Sequence, residues 1–441
     1  MNFDEIKSVI VSSAEKNGVA EYEIFYTENE SLSAETVKNE ISSFSSEHTA
    51  SVNFRCTVGG KMGYAYTELL EPEELAGLVT RAADNAAVTE CEDEVEIFRG
   101  SDEYLPADMP EPSLPDAASV REIALKLQEK TYSLSDKVSD GTQSAAGSGI
   151  IATRMYNSYG LDLSERYGVD YAYSEAVVRD GEDTAYSFRG GNGRSYDELS
   201  YNSEKAVEEA LSRLGAVPAE TGSYPVIISA NTMRGILATF SSVFSAQNAQ
   251  KGLSLLAGKE GQKIASDIIT IADDPFREGS VKTAFDGEGV ATRTKNVIEK
   301  GVLTTLLHNL SSGKKAGVPS TGNGNHSNGI RFHNFYILPG KNTLEELLKA
   351  ADGGIYVTEV KGLHAGADAT TGDFSVESAG HMIENGKIGR PVKSFTIAGN
   401  FFTLLKDISA LSDTVDFGVV TSATAFGSPD IFIPSISVAG K

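Results

Sequence analysis

Residues 372–400 read GDFSVESAGHMIENGKIGRPVKSFTIAGN, in which Asn385-Gly386 separates two segments of alternating polar and apolar residues. A type I′ turn requires a positive φ angle at both central residues, and Asn followed by Gly meets that requirement. We therefore expect a β-hairpin here, and an antiparallel, strand-rich C-terminal part of the chain. The predicted register has three cross-strand pairs: Glu384 with Lys387, Ile383 with Ile388, and His381 with Arg390.

The same stretch places Ser375, Glu377 and His381 on one face of the predicted strand, in the manner of a catalytic triad. A strand advances about 3.3 Å per residue, so Ser375 and His381 would lie roughly 20 Å apart. A nucleophile and its general base must come within hydrogen-bond distance of each other. The spacing therefore excludes a self-contained catalytic site in this hairpin.

A second segment, VIEKGVL (297–303), shares the pattern Ile-Glu-x-Gly with MIENGKI (382–388). Both segments predict a hairpin whose glycine occupies a turn position with positive φ. A duplicated unit and independent use of the same turn both fit this pattern.

The composition is that of a soluble globular protein, with 441 residues of which 40% are hydrophobic and 23% charged, and a net charge of −24. This acidity repels phosphate backbones and anionic lipids, so neither nucleic acid nor a membrane is expected as a partner. The sequence shows no long apolar run and no signal-peptide pattern, which predicts a cytoplasmic protein. Cys56 and Cys91 have no metal-ligand spacing, and the alternating apolar residues around Cys56 predict a buried thiol.

The order of elements predicts an α+β fold with three domains. An N-terminal α/β domain (1–100) has an antiparallel sheet with flanking helices, and a proline-rich acidic linker separates it from a middle α/β domain (113–218). A β-rich C-terminal domain (222–441) follows. Helices are predicted at 3–17, from Pro72 onward, and at 116–131, 196–216, 231–246 and 342–351.

Metal and phosphate chemistry have weak support in the motifs. None of the six histidines occurs as H-x-x-x-H or H-E-x-x-H. The run STGNGNHSNG (320–329) lacks the Gly-Lys-Ser/Thr ending of a phosphate-binding loop, so it is interpreted either as a loop lining a substrate groove or as a plain connection. Four carboxylates in glycine-rich segments resemble calcium ligands without following EF-hand spacing: Asp286, Glu288, Asp368 and Asp373.

Several long segments match one known family, in the family's order: FDGEGVATRTKNVIEKGVLTTLLHN, PSTGNGN, YILPGKNTLEELL, the hairpin stretch above and the closing IPSISVAGK. The chain resembles the TldD/PmbA family, in which PmbA is also called TldE. Members of this family are named both as modulators of DNA gyrase and as a zinc-dependent peptidase system. The resemblance covers nearly the whole chain and is densest from residue 222 onward.

The resemblance also shows where this sequence departs from the family's zinc site. TldD-type members carry His-Glu-x-x-x-His on the helix after the strand that opens the third region, with a cysteine near the C-terminus as a further ligand. Here the three motif positions hold Ala238, Thr239 and Val243, and no cysteine follows Cys91. Alanine and valine cannot donate an electron pair to zinc, and threonine cannot replace the glutamate base. We therefore expect no metal and no catalytic residue in this chain.

The resemblance implies a PmbA/TldE-type subunit that pairs with a zinc-bearing TldD-type subunit, or with a second copy of itself, and acts on unfolded peptides. Such a subunit would shape a peptide chamber, where strand edges and glycine-rich segments can hold an extended chain. The alternatives are a non-proteolytic binding protein that modulates DNA gyrase or another protein, and an autonomous peptidase with an unrecognised site. The residues predicted to line a peptide groove are Thr321, Gly322, Asn323, Gly324, Gly372 and Asp373.

Overall fold

The structure is a computed structural model that describes residues 1–90 and 96–441, so Cys91 lies outside the described residues. The helices in the described residues are α1 (Phe3–Lys16), α2 (Pro72–Val88), α3 (Ala117–Ser133), α4 (Tyr196–Ser212), α5 (Ala230–Phe240), α6 (Ala246–Gln250), α7 (Leu310–Ala316), α8 (Leu344–Ala350), α9 (Leu363–Gly366) and α10 (Phe401–Asp407). The strands there are β1 (Glu21–Val37), β2 (Glu40–Val58), β3 (Lys61–Thr67), β4 (Gln143–Asn157), β5 (Asp162–Asp180), β6 (Asp183–Asn192), β7 (Val217–Pro218), β8 (Gly222–Ile228), β9 (Ile271–Asp273), β10 (Lys295–Glu299), β11 (Val302–Leu303), β12 (Asn334–Ile337), β13 (Ile355–Lys361), β14 (Asp373–Glu384), β15 (Lys387–Asn400), β16 (Ala410–Leu411), β17 (Ala425–Gly427) and β18 (Ile431–Ala439).

The N-terminal half forms one antiparallel sheet of six strands in the order β3-β2-β1-β4-β5-β6. β1 pairs with β4 along its length, from Glu23 opposite Asn157 to Val37 opposite Gln143. Strands from both sides of the proline-rich linker are therefore direct neighbours in a single sheet. The division of the chain into three domains stays a prediction.

The helices α1 to α4 all cover the same face of this sheet. Alternate residues of β1 point to opposite faces, and Tyr22, Ile24 and Tyr26 pack in the core under α1 and α2. Further along the strand, Ala34 points the same way and packs under α3 and α4. Cys56 is fully buried in the first of these cores, as predicted, and burial raises the pKa of its thiol to about 11.

The predicted hairpin at the end of β14 is confirmed, with φ angles of 55° at Asn385 and 68° at Gly386. The pairs Glu384–Lys387 and Ile383–Ile388 form as expected. The third predicted pair is wrong, because a register shift between His381 and Ile383 places His381 opposite Pro391 instead of Arg390.

The predicted shared face of Ser375, Glu377 and His381 is also wrong. Ser375 and Glu377 are exposed, whereas His381 is buried and its Nε2 lies 3.0 Å from the carbonyl oxygen of Ser212. A register shift between Ser378 and Gly380 reverses the alternation of β14 before His381 is reached.

The C-terminal half contains two sheets. β18 pairs with both β8 and β15, which closes β18-β8-β13-β14-β15 into a small barrel, with β16 and β7 added at its margins. A second sheet has the order β11-β10-β9-β12-β17. The second predicted hairpin lies in it between β10 and β11, with positive φ at Lys300 and Gly301. The α+β class and the strand-rich C-terminal region are thus confirmed.

The predicted helix over 231–246 is interrupted in the structure. α5 ends at Phe240, a 3-10 turn spans Ser241–Phe244, and α6 begins at Ala246. Serine hydroxyls compete with helical hydrogen bonds here, because Ser241 Oγ donates to Ala238 O at 2.8 Å. Among the described residues, no helix is both long and apolar enough to span a bilayer.

Candidate functional site

The resemblance implies that α5 and the turn after it correspond to the helix that carries the zinc motif in TldD-type proteins, and that correspondence stays a prediction. Ala238 and Thr239 lie in the last turn of α5, where Thr239 Oγ1 donates to Gly235 O at 2.9 Å. Val243 follows in the 3-10 turn and is fully buried in the C-terminal core. A zinc ion requires nitrogen, thiolate or carboxylate donors, and none of these side chains offers one. The residues at this place therefore do not fit a zinc ion.

Asn323, predicted to line a groove, lies in a buried hydrogen-bonded cluster. Its Nδ2 donates to Asp273 Oδ2 at 2.8 Å, and its Oδ1 accepts from Lys295 Nζ at 3.1 Å. Asp273 also contacts Lys295 Nζ at 3.0 Å and His333 Nδ1 at 3.0 Å. We call Asp273, Lys295, Asn323 and His333 the Asp273 network.

Charge in the Asp273 network is balanced, because one carboxylate faces one ammonium. Burial alone would raise the pKa of Asp273, but Lys295 and His333 more than offset it and hold the pKa far below its usual range. Burial lowers the pKa of His333, which favours the neutral ring.

A second buried cluster joins the six-stranded sheet to the C-terminal region. Arg55 on β2 is 1% exposed and contacts Glu23 on β1 twice, at 2.9 Å through Nε and at 3.1 Å through Nη2. Arg55 Nη1 lies 3.9 Å from Glu288 Oε1 in the loop before β10. We call Glu23, Arg55, Asp286 and Glu288 the Glu288 network.

The two carboxylates of the FDGEGV segment are held by backbone groups. Asp286 accepts from the N–H groups of Glu288 at 2.9 Å and Gly324 at 2.6 Å. Glu288 Oε2 accepts from the N–H of Leu310 at 2.8 Å, at the start of α7. Burial raises the pKa of Glu288, and the charge of Asp286 raises it further. The Glu288 network therefore contains three carboxylates and one guanidinium.

The glycine at position 324 is required by this packing. A Cβ atom built on Gly324 would lie 2.3 Å from Glu288 Oε2. The bond from Leu310 N–H fixes that carboxylate, so it cannot swing aside without losing a partner.

His326 lies beside the Glu288 network. Its ring stacks on Phe25 with centroids 4.6 Å apart, and its Nδ1 lies 3.5 Å from Glu23 Oε1. A cleft of about 490 Å³ opens next to it, with Tyr64 and Tyr66 of β3 in its wall. In the described part of the chain neither ring nitrogen of His326 makes a hydrogen bond. No activated nucleophile is bonded to this histidine, so the arrangement does not form a triad.

The predicted groove residues lie in two places, the loop Thr321–Gly324 and the pair Gly372–Asp373. In the loop, the three residues after Thr321 are buried. The pair lies at the start of β14, where Gly372 is buried against Phe402 and Asp373 is exposed, with its Oδ1 accepting from Asn400 Nδ2 at 2.9 Å. The groove role of these residues stays a prediction.

The four calcium-like carboxylates are also divided between two places. Asp286 and Glu288 share the buried network, whereas Asp368 lies in an exposed loop and accepts from Thr370 N–H at 2.8 Å. Across residues 1–90 and 96–441, three ligand atoms lie within 4.8 Å of one another only in a set that includes none of the four: Glu28, Glu30 and His48.

The sequence comparisons agree with this architecture. The PmbA/TldA metallopeptidase C-terminal domain matches residues 221–440, and PmbA/TldA metallopeptidase domain 1 matches residues 22–86. The chain belongs to the PmbA/TldD family. It is 28% identical to a metalloprotease PmbA homolog of Haemophilus influenzae, over 93% of this chain and 91% of that relative.

Two solved structures of PmbA/TldD proteins share the fold over the whole length. A protein of Thermotoga maritima described as a candidate modulator of a DNA gyrase is 31% identical, with a TM-score of 0.89 over 99% of this chain and 100% of that chain. TldE of Thermococcus kodakarensis is 27% identical, with a TM-score of 0.88 over 99% of this chain and 100% of that chain.

The sequence analysis missed the contribution of Glu23 and Arg55 to the Glu288 network. Both residues were visible as charges inside alternating apolar strands, in YEIFYT and VNFRCTV. A charged residue at an inward position must find a partner, because an unpaired buried charge is too costly. That rule gives a signal for burial, although it does not identify Glu288 as the distant neighbour.

Proposed function

We propose that this chain is the PmbA/TldE-type subunit of a TldD/TldE-like cytoplasmic metallopeptidase complex that processes unfolded peptides. The observation that carries this proposal is the end of α5, where Ala238, Thr239 and Val243 offer no zinc ligand. The zinc and the peptide cleavage then belong to a TldD-type partner. This chain completes the peptide chamber around the partner's site.

The names of the relatives support such an assembly. Relatives of this chain include metalloprotease PmbA proteins and, at 30% identity over 53% of this chain, a metalloprotease TldD homolog of Buchnera aphidicola. Two proteins with one shared fold can form a pseudo-symmetric pair, so a heterodimer with a TldD-type subunit is the proposed state and a homodimer is the alternative.

Within this proposal the predicted groove residues have two roles. The buried loop Thr321–Gly324 supports the chamber wall from inside the C-terminal region, because its polar groups bond to Asp273 and Asp286. Asp373 is exposed and is the one of these residues that we propose to contact a peptide, whereas Gly372 is buried and supports the start of β14.

The test compares the chain alone with the chain co-expressed with a TldD-type subunit from the same genome. Alone, it should contain no stoichiometric zinc by elemental analysis and should not cleave an unfolded peptide. Together, the two chains should co-purify and cleave that peptide in a chelator-sensitive manner. Stoichiometric zinc and chelator-sensitive cleavage by the chain alone would contradict the proposal.

A second candidate function is binding to DNA gyrase without proteolysis, favoured by the description of the Thermotoga maritima relative. The acidic chain could contact a basic surface of such a partner. Co-purification with gyrase subunits, together with no complex with a TldD-type chain, would favour this alternative.

A further inference from the structure

Within residues 1–90 and 96–441, one face of the six-stranded sheet carries no helix, and C-terminal loops cover only part of that face. Phe25 stacks on His326, and Glu165 accepts from Thr283 Oγ1 at 2.7 Å. Tyr167 packs in a small core shared with the C-terminal region. All of these contacts lie along the first half of β1 and the strands beside it.

Beyond these contacts the same face continues with small residues bordered by aromatic rings, and Ala145, Gly147 and Gly149 among them are buried beneath neighbouring side chains. Cross-strand pairing fixes which residues share this face, because directly opposed residues point the same way. We call this surface the small-residue face, and it consists of Ser31, Ser33, Glu35, Ser43, Ser45, Glu47, Ala145, Gly147, Gly149, Tyr171, Tyr173, Glu175, Tyr186 and Phe188.

The aromatic border is built by close packing against glycine. Tyr171 lies flat across Gly147, since a Cβ at that glycine would lie 2.5 Å from the ring Cζ. Tyr173 and Phe188 pack with ring centroids 5.0 Å apart. Phe188 is nevertheless 50% exposed, so one side of this aromatic pair faces solvent.

The charges within the small-residue face are negative, and two cations lie at its β6 edge. Lys361 Nζ lies 5.4 Å from the ring centroid of Tyr186, and Arg179 follows two residues after Val177, the partner of Tyr186. Glu35, Glu47 and Glu175 project from the small-residue face, and none of its positions holds lysine or arginine. Among the described residues, these three carboxylates have no ion-pair partner. The closest interaction is a hydrogen bond of 2.7 Å from Ser45 Oγ to Glu47. The three carboxylates therefore leave a negative potential over the face away from its Tyr186 edge.

We propose that the small-residue face binds an extended peptide segment that carries lysine or arginine. The short serine side chains are half-buried or exposed and let a main chain approach the sheet. The tyrosines offer π faces to cations and to peptide groups, and the carboxylates supply complementary charge. The inference rests on the proposed function for peptide as the ligand, and it adds a charge preference and a location to that function.

The first experiment measures binding of two labelled unstructured peptides of equal length to the purified chain by fluorescence anisotropy. One peptide is rich in Lys, Gly and Ser, and in the other each Lys is replaced by Glu. We expect the cationic peptide to bind more tightly, with an affinity that falls as salt is raised. The triple variant Glu35→Gln, Glu47→Gln, Glu175→Gln should weaken it by about tenfold, because each exposed charge pair contributes a fraction of that factor.

A matched control separates this face from the overall acidity of the chain. The triple variant Glu122→Gln, Glu129→Gln, Glu208→Gln removes the same charge from α3 and α4, on the opposite side of the same sheet. This control variant should bind the cationic peptide with an affinity within twofold of that of the parent chain. A third variant, Phe188→Ala, should weaken binding of the cationic peptide, because its exposed ring offers a π face to cations.

Equal affinity for the two peptides, or equal weakening by the two triple variants, would overturn the inference. A second outcome would also overturn the inference: no peptide binds, and the first triple variant shifts the monomer–dimer equilibrium of the chain. That outcome would assign the face to contact with a second copy of the chain. The assay contains no partner subunit, so its outcome is independent of whether a TldD-type complex forms or cleaves. Failure of the proposed function and failure of this inference can therefore be told apart.

Discussion

Two buried polar networks meet at neighbouring residues of one loop, and they differ in charge balance. Asn323 belongs to the Asp273 network, where one carboxylate faces one ammonium and a neutral histidine. Gly324 donates its N–H to the Glu288 network, where three carboxylates surround one guanidinium. A single loop thus connects a neutralised cluster to one with excess negative charge.

The two networks lie in different parts of the fold, and this determines how each one responds to pH. The Asp273 network lies entirely within the C-terminal region and fixes the loop to β9 and β10. The Glu288 network lies at the junction between the sheet and that region. Excess negative charge at a junction makes the docking of the two parts sensitive to protonation, whereas a balanced network stabilises one part over a wide pH range.

The largest expected effect comes from breaking the balanced network. Asp273→Asn removes the partner of Lys295, whose side chain is 14% exposed, while keeping the shape of the fully buried side chain at position 273. Removing one member of a buried ion pair costs about 3–5 kcal/mol, so the free energy of unfolding from urea titration should fall by about that amount. The matched control is Asp267→Asn, whose pair with Lys263 is 75% and 58% exposed. It should change the free energy by about 0.5 kcal/mol or less.

Equal small effects of the two substitutions would mean that the Asp273 network is not the balanced unit inferred here. The contribution of Asp273 to the free energy of unfolding also depends on pH. Because its pKa is lowered in the folded chain, its contribution is present above the unfolded value of about 3.9 and is lost on acidification below it.

Local sequence patterns predicted much of the fold, whereas contacts between residues far apart in the sequence could not be predicted from them. The turn at Asn385-Gly386 follows from two residues, and the pairs beside it follow from the turn. The pairing of His381 failed because register shifts in β14 depend on its packing against neighbouring strands, which a single strand's sequence does not encode.

The candidate site shows the same limit. The absence of zinc ligands at Ala238 and Val243 could be found from the sequence alone, because ligand chemistry depends on residue type. The burial of Gly324 could not be found in this way. Its environment is set by Glu288 and by Arg55, which is far away in the chain and reaches the site only through the packing of the sheet.

An intermediate effect is expected from crowding the junction. Gly324→Ala places a methyl group against the carboxylate of Glu288 and forces it away from the N–H of Leu310. Overpacking of this kind costs about 1–3 kcal/mol, which thermal unfolding should detect as a lower Tm. The control is Gly329→Ala, where the nearest atom to the new methyl group is Asn325 Cβ at 3.7 Å, an ordinary contact. Equal Tm values for the two variants would contradict the role assigned to Gly324.

The smallest expected effect concerns the slope of stability with pH, and it distinguishes the two networks directly. Burial raises the pKa of Glu288 above its unfolded value of about 4.3, so the folded chain binds more protons than the unfolded chain once the pH exceeds that value. Stability therefore falls as the pH rises through this window, by at most about 1.4 kcal/mol per pH unit for one group. Glu288→Gln cannot titrate and keeps an oxygen to accept from Leu310.

Urea unfolding at pH 5, 6, 7 and 8 should show the Gln variant gaining stability relative to the parent chain, by about 1 kcal/mol in total across the series. The control is Glu299→Gln on the exposed end of β10, which should keep the parent's slope. Parallel curves for the parent and Glu288→Gln would show that the excess carboxylates at the junction carry no proton. In that case Glu288 would add no pH dependence to the free energy of unfolding, and the contrast drawn between the two networks would fail.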